Sequence, residues 1–205
     1  DGPDHPAIDQ SGESANTLVL FSSDNGGIPS HGGSNIPLRG NKFGIYEGGV
    51  RVPAALRWPA VFKESKVNDD TLSYIDVWPT FAAIAGMGKH GTEIDGKDMQ
   101  PSWAANAPSW DRTLYLREGG VIHGEWKLVA LEKDCKDPAE CGQLFNLKND
   151  PYEKRDLAGK MPEKVRELAE LIKAYKKLRG PAFESRYKSE TWPPENWVLP
   201  DEPES

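Results

Sequence analysis

Apolar residues along the chain come in short bursts separated by polar, glycine-rich stretches. The first burst, Thr17-Leu18-Val19-Leu20-Phe21-Ser22, is apolar on successive residues. Such a run predicts a strand covered on both faces, as in a parallel sheet. It stops at Ser23-Asp24-Asn25-Gly26-Gly27, and residues 24–49 hold eight glycines in 26 positions with little periodicity. That composition predicts a long loop region, a kind of segment that in compact domains is usually functional or disordered. Val52–Trp58 reads as another strand, with Pro53 near its start or at an edge. Asp70 to Gly86 reads as a strand-to-helix transition. Asp76 can cap the helix, Pro79 sits in its first turn and Gly86 falls just past its end.

Residues 87–111 are loop-rich, with a turn at Ile94-Asp95-Gly96. Strands are predicted at Thr113–Arg117, Trp126–Ala130 and Gln143–Leu147, with a reversal at Gly119-Gly120 between the first two. Asn149-Asp150-Pro151 is a turn. From Pro162 to Leu178, Val165, Leu168, Leu171, Ile172 and Tyr175 recur at spacings of three and four, so the segment predicts an amphipathic packing helix stopped by Gly180. The expected organisation is a polar, mobile lead-in over 1–16, an α/β segment over 17–110, an antiparallel sheet with a helix over 111–180, and a tail over 181–205. A linker falls near Ser102–Asp111. The tail is extended chain, either pinned by Trp192 and Trp197 or disordered. No internal repeat is evident.

Composition narrows the classes. The chain has 205 residues, with 25 Lys plus Arg against 32 Asp plus Glu and a formal charge of -7. That balance gives no global reason to bind nucleic acid. No apolar run is long enough for a membrane span. Two cysteines exclude a disulfide-dense scaffold and a Cys-only zinc site. Cys135 and Cys141 lie six apart in a polar loop, and both a bridge in an oxidising compartment and two exposed thiols fit that spacing. The opening Asp1-Gly2-Pro3-Asp4-His5-Pro6 has neither a basic nor an apolar signal region and does not look like a natural translation start.

Chemistry concentrates in the glycine-rich stretch. Asp24 and Asn25 follow the C-terminal end of a strand, where open α/β sheets bind ligands. Their side-chain oxygens are hard donors suited to Ca²⁺ or Mg²⁺, although Asn-Gly is also a common turn dipeptide. Lys42 can bind an anionic oxygen or protonate a leaving group, or simply be a solvated lysine. Glu47 and Arg51, four apart around Gly48-Gly49, favour a structural role, as an ion pair or as surface charges. His31 sits on a loop near Asp24 in sequence, and His123 just before the Trp126 strand. Each reads as a surface histidine or at most a substrate contact.

The ordered set Ser23-Asp24-Asn25-Gly26-Gly27, Gly32-Gly33-Ser34-Asn35-Ile36-Pro37-Leu38-Arg39-Gly40-Asn41-Lys42 and Tyr46-Glu47-Gly48-Gly49-Val50-Arg51-Val52-Pro53 resembles the type I sulfatases. The nearest likeness is to arylsulfatases of the N-acetylgalactosamine-4-sulfatase kind. The resemblance continues through Tyr74–Thr80, Ile94-Asp95-Gly96, Gly124–Leu128 and Leu144–Pro151, covering roughly residues 17–175. It implies the end of an alkaline-phosphatase-like mixed sheet core followed by a small antiparallel sheet packed on a C-terminal helix. It further implies that Asp24 and Asn25 ligate a divalent cation, usually Ca²⁺, and that Lys42 contacts the sulfate as a catalytic group. His31 and His123 are carried over as possible substrate contacts.

The family nucleophile is a formylglycine made within Cys/Ser-x-Pro-x-Arg, and no such motif occurs here. The nearest skeleton is Asn35-Ile36-Pro37-Leu38-Arg39. The family's N-terminal Asp pair, its Lys-x-His segment and a further histidine are missing as well. The chain is therefore expected to be the C-terminal part of a sulfatase, inactive alone, needing the N-terminal portion or self-association. Its expected substrate is a sulfated sugar or aryl sulfate, and its location secreted, periplasmic or lysosomal. Alternatives are a phosphoryl or phosphonate hydrolase of the related fold and a non-catalytic module that binds sulfated glycans.

Overall fold

The computed structural model describes residues 6–87, 94–103, 112–116, 119–131 and 135–178. Most of the expected linker and the whole Pro/Trp tail lie outside the described residues. The chain begins with a short helix α1 (Pro6–Ser11) and a 3-10 turn at Ser14–Asn16. This segment is not a bare lead-in. Arg57 reaches both Asp9 (3.4 Å) and the Ser14 hydroxyl (2.8 Å), and Ala60 N–H donates to Ala15 O at 2.8 Å.

Strands β1 (Val19–Ser22) and β2 (Ala54–Arg57) pair antiparallel, Val19 opposite Arg57 and Ser22 opposite Ala54. The apolar run at Thr17–Ser22 had suggested parallel neighbours and two covered faces. Instead β1 has an antiparallel partner, and Phe21 stands 64% exposed. The single-turn helix α2 (Glu47–Val50) lies between these strands in sequence.

No strand forms over residues 70–73. A 3-10 turn at Tyr74–Asp76 leads directly into helix α3 (Val77–Ile84). Asp76 does act at this helix start, accepting from Ser73 N–H at 2.7 Å. It is also fully buried, accepts from Lys97 N–H and pairs with Arg112 at 2.6 Å. Gly86 takes φ +71 just past the helix, a conformation that glycine adopts at little cost. Gly96, in the expected turn, packs so closely on Ile75 that an added Cβ would sit 2.0 Å from Ile75 O. A further helical turn, α4 (Gln100–Trp103), follows.

The second sheet is a meander of four antiparallel strands: β3 (Thr113–Leu116), β4 (Gly120–His123), β5 (Trp126–Val129) and β6 (Gln143–Asn146). Strand β4 was not anticipated, because it opens on Gly120, which in sequence reads as part of the Gly119-Gly120 reversal. His123 ends this strand and also stands just before β5, as expected. Cys135 and Cys141 are bridged, Cα to Cα 5.6 Å, around the short helix α5 (Pro138–Cys141). Asp137 caps this helix, accepting from Ala139 N–H at 3.0 Å. The long helix α6 (Pro162–Leu178) forms as its apolar spacing predicts.

Period-two alternation gives the sheet two covered faces. Val121, Leu128 and Leu144 lie opposite one another across β4, β5 and β6 and pack on Val165, Leu168, Ala169 and Ile172 of α6. On the other face Val129 and Phe145 pack with Ile45 from the glycine-rich region. The sheet is thus held between α6 and the segment leading into α2. Leu168 has no exposed surface, so Leu168→Ala is expected to lower unfolding free energy by about 2–5 kcal/mol. Denaturant titration checks this, and a change within about 0.5 kcal/mol would show that α6 does not close the core.

Candidate functional site

The glycine-rich region is irregular but heavily cross-linked. Gly26 N–H donates to Gly49 O at 3.0 Å, and Gly48 N–H to Arg39 O at 2.6 Å. An added Cβ on Gly26 would meet Gly48 O at 1.8 Å, and one on Gly49 would meet Gly44 O at 2.3 Å. These backbones are too close for any side chain, which explains the Gly48-Gly49 pair. Asn35 closes the assembly from the other side. Its Oδ1 accepts from Gly27 N–H at 2.7 Å, while its Nδ2 donates to Gly27 O at 2.9 Å and Gly40 O at 3.3 Å.

Lys42 N–H donates to Gly27 O at 3.3 Å. The turn carrying Asp24 and Asn25 and the turn carrying Lys42 are therefore clipped together by backbone bonds and by Asn35. The Lys42 turn contains Phe43 at φ +73, an uncommon conformation for a residue with a bulky side chain. The ammonium of Lys42 lies 5.5 Å from the exposed Phe43 ring, and no ion pair holds it among the described residues. Asp24 is exposed and Asn25 half-buried. Ser23 Oγ donates to Asn25 O at 3.0 Å. Among the described residues, neither the Asp24 carboxylate nor the Asn25 side-chain amide has a hydrogen-bond partner. Two hard oxygen donors thus stand open on one turn.

Both histidines hydrogen-bond to groups outside this clip. His31, exposed at the end of a 3-10 turn (Pro29–His31), has its Nδ1 3.2 Å from Ser30 Oγ. His123 Nδ1 lies 2.8 Å from Oγ1 of its cross-strand partner Thr113. Neither is hydrogen-bonded to Asp24, Asn25 or Lys42.

Glu47 does not pair with Arg51, as their spacing had allowed. It is buried, and its Oε1 lies 2.8 Å from Nζ of Lys127 on β5. Lys127 has no exposed surface and also contacts Glu153 Oε1 at 2.9 Å. Glu153 Oε2 accepts from Glu47 N–H at 2.7 Å, and Glu153 O accepts from Arg39 Nη1 at 3.3 Å. The Arg39 guanidinium lies over the Tyr46 ring, 3.9 Å from its centroid. Tyr46 OH donates to Gln143 Oε1 at 2.5 Å. Burial raises the Tyr46 pKa, partly opposed by Arg39.

Sequence reading missed this ionic group. One signal for it existed. In Trp126-Lys127-Leu128-Val129-Ala130, alternation puts Lys127 on the same face as apolar Val129. A lysine on a covered face requires acids beside it.

Comparisons with known proteins identify the family. A family model described as Sulfatase matches residues 7–87. The chain is 30% identical over 194 residues to N-acetylgalactosamine-6-O-sulfatase of Bacteroides thetaiotaomicron, covering 78% of this chain and 36% of the relative. It is 30% identical over 207 residues to steryl-sulfatase of Mus musculus, covering 82% and 33%. The crystal structure of Ps i-CgsB in complex with k-i-k-neocarrahexaose matches with TM-score 0.72 and 30% identity, covering 82% of this chain and 38% of that one. This chain belongs to the sulfatase family. It spans about a third of the length of these curated sulfatases. The fold is α/β, part of the alkaline-phosphatase-like architecture of that family.

Two consequences of the buried ions can be measured in this sulfatase chain. Lys127→Met strands two carboxylates away from water and should cost about 3–5 kcal/mol at neutral pH. An unchanged denaturation midpoint would refute the burial. The Glu153 carboxyl is raised above its ordinary 4.5, chiefly by burial and further by Glu47, against the pull of Lys127 and the Glu47 amide. The folded state then holds this proton more tightly than the unfolded state does. Stability linked to Glu153 is fullest below 4.5 and falls as pH rises through the raised value. Glu153→Gln cannot titrate, so its stability relative to the wild type should climb with pH across that window. The opposite slope in paired unfolding titrations would contradict the assignment.

Proposed function

We propose that this chain supplies half of the divalent-cation and sulfate site of a sulfuric ester hydrolase. Asp24 and Asn25 are its cation ligands, and Lys42 is its catalytic, sulfate-binding residue. The formylglycine nucleophile and the remaining ligands come from residues outside this sequence. The observation that carries the reading is the clip between the two turns: Gly27 is bonded to Lys42 and to Asn35 and lies two residues from Asn25.

The donor set fits a hard cation such as Ca²⁺. Both side chains offer oxygen, and no hydrogen bond competes for them among the described residues. Two donors are a minority of the roughly 6–8 oxygens that Ca²⁺ takes. No cluster of three or more His, Cys, Asp or Glu suited to a metal occurs among the described residues, and the reading assigns the other ligands to residues beyond these two. When bound, the cation supplies charge neutralisation at the sulfuryl oxygens.

Lys42 acts on the same group. In a sulfate monoester, negative charge moves to the bridging oxygen as the S–O bond breaks. A half-buried ammonium, free of carboxylate partners among the described residues, can hold that charge or give the leaving oxygen a proton. His31 and His123 are proposed only as substrate contacts. Thr113 occupies Nδ1 of His123, which leaves Nε2 for a substrate oxygen.

The substrate class is a sulfated sugar or an aryl sulfate. The bridged Cys135 and Cys141 support an oxidising location, secreted, periplasmic or lysosomal. No described helix is long and apolar enough to cross a membrane. The exposed Phe21 on β1 supports pairing with the N-terminal portion of a sulfatase or with a second copy.

The test is a sulfate titration in millimolar Ca²⁺, followed by NMR at the Lys42 side chain and the Gly26 and Gly27 amides. All three should shift together, Asp24→Ala and Lys42→Ala should each abolish the response, and the chain alone should release no product from an aryl sulfate. Responses confined to other lysines would overturn the site. A marked preference for phosphate over sulfate would favour a phosphoryl hydrolase instead. Turnover by the isolated chain that Lys42→Ala removes would show that the outside groups are dispensable.

A further inference from the structure

The site reading leaves Glu153 unused, although it lies far along the chain from the two turns and touches both of their supports. We propose that Glu153 is a positioning residue that sets the separation of the Asp24-Asn25 turn from the Lys42 turn; the inference rests on the site assignment above.

The route is short and physical. Glu153 Oε2 takes the Glu47 N–H, the first amide of α2, at 2.7 Å. Two residues on, Gly49 O receives Gly26 N–H, which fixes the residue next to Asn25. Glu153 O takes the Arg39 side chain at 3.3 Å, and Arg39 O in turn receives Gly48 N–H. Lys42 lies three residues beyond Arg39. One residue therefore anchors the start of each route, by side chain for the cation turn and by backbone for the lysine turn.

Glu153 is itself fixed. It adopts φ +53 at the end of a turn in which its N–H donates to Asp150 O at 3.1 Å. The Asp150 carboxylate accepts from Lys154 and Arg155 N–H at 3.1 and 2.8 Å. Lys127, rooted in the middle of the sheet, clamps the Glu153 and Glu47 carboxylates at 2.9 and 2.8 Å. The spacing of the two turns is thus referred to the rigid sheet rather than to the loops themselves. That is the arrangement that holding a small anion and its cation at fixed separation requires.

Amide hydrogen exchange tests the inference in the full 205-residue chain without any ligand. Glu153→Ala removes the side-chain anchor but keeps the backbone carbonyl, so it should speed exchange at Gly26 and Gly48 at least tenfold while Lys42, and Leu168 and Ile172 on α6, stay near their wild-type rates. Glu153→Gln retains an oxygen for the Glu47 amide and should restore most of the protection. Arg39→Met, which cuts only the side-chain link on the lysine side, should loosen Lys42 but not Gly26. This last variant keeps the test open if Glu153→Ala fails to fold. Equal loss at α6 and at the turns, no rescue by Gln, or equal loosening of Gly26 by Arg39→Met would overturn the proposal. Sulfate affinity is then read for the same variants. Wild-type sulfate binding that is absent refutes the site assignment. Binding that is present, with exchange unmoved by the variants, refutes only the positioning role.

Discussion

A lysine with no exposed surface, clamped between two buried carboxylates, is the constraint on which this architecture depends. An ammonium removed from water loses several kcal/mol of solvation, and only close opposite charge restores it. Lys127 finds that charge on two different segments: Glu47 at the start of α2 and Glu153 beyond β6. Neither segment can move away without leaving a buried charge bare. The group carries one excess negative charge, and the Glu47 N–H donates into it at 2.7 Å. Ions that do little for net stability can still dictate which segments meet. Here they join the glycine-rich region to the second sheet.

Once that junction is made, the glycine-rich region has little freedom left. Gly26, Gly48 and Gly49 pack backbone on backbone at distances that exclude a Cβ. Asn35 satisfies both the N–H and the C=O of Gly27. A region without regular structure is thereby ordered by paired backbone groups, as buried chain requires. Order of this kind, rather than flexibility, holds the Asp24-Asn25 turn against the Lys42 turn.

How much of this was legible in the sequence follows from how locally each feature is encoded. The helix over Pro162–Leu178 repeats its apolar face along seventeen residues and was readable directly. The β3, β5 and β6 strands were readable too, whereas β4 opens on a glycine that in sequence reads as part of the reversal. The direction of β1 was not readable, because a short apolar run carries no record of its partner's orientation. Asp24, Asn25 and Lys42 stood out through their order among the glycines. Glu153 did not, because its partners are 26, 106 and 114 residues away. A buried ionic group assembled from three segments leaves no spacing for a reader of one segment to find. The Cys135–Cys141 separation allowed a bridge and equally allowed none; the structure decides it.

Two lysines show what that difference means for chemistry. Lys127 and Lys42 are identical in the sequence, and neither has a charged neighbour beside it. Lys127 is neutralised twice over and sealed from solvent, so no anion can reach it. Lys42 is half-buried, sits beside an aromatic ring and has no carboxylate partner among the described residues. Its positive potential is therefore available to whatever anion enters. The buried lysine spends its charge on fixing the frame, whereas the charge of Lys42 is left without an ionic partner among the described residues.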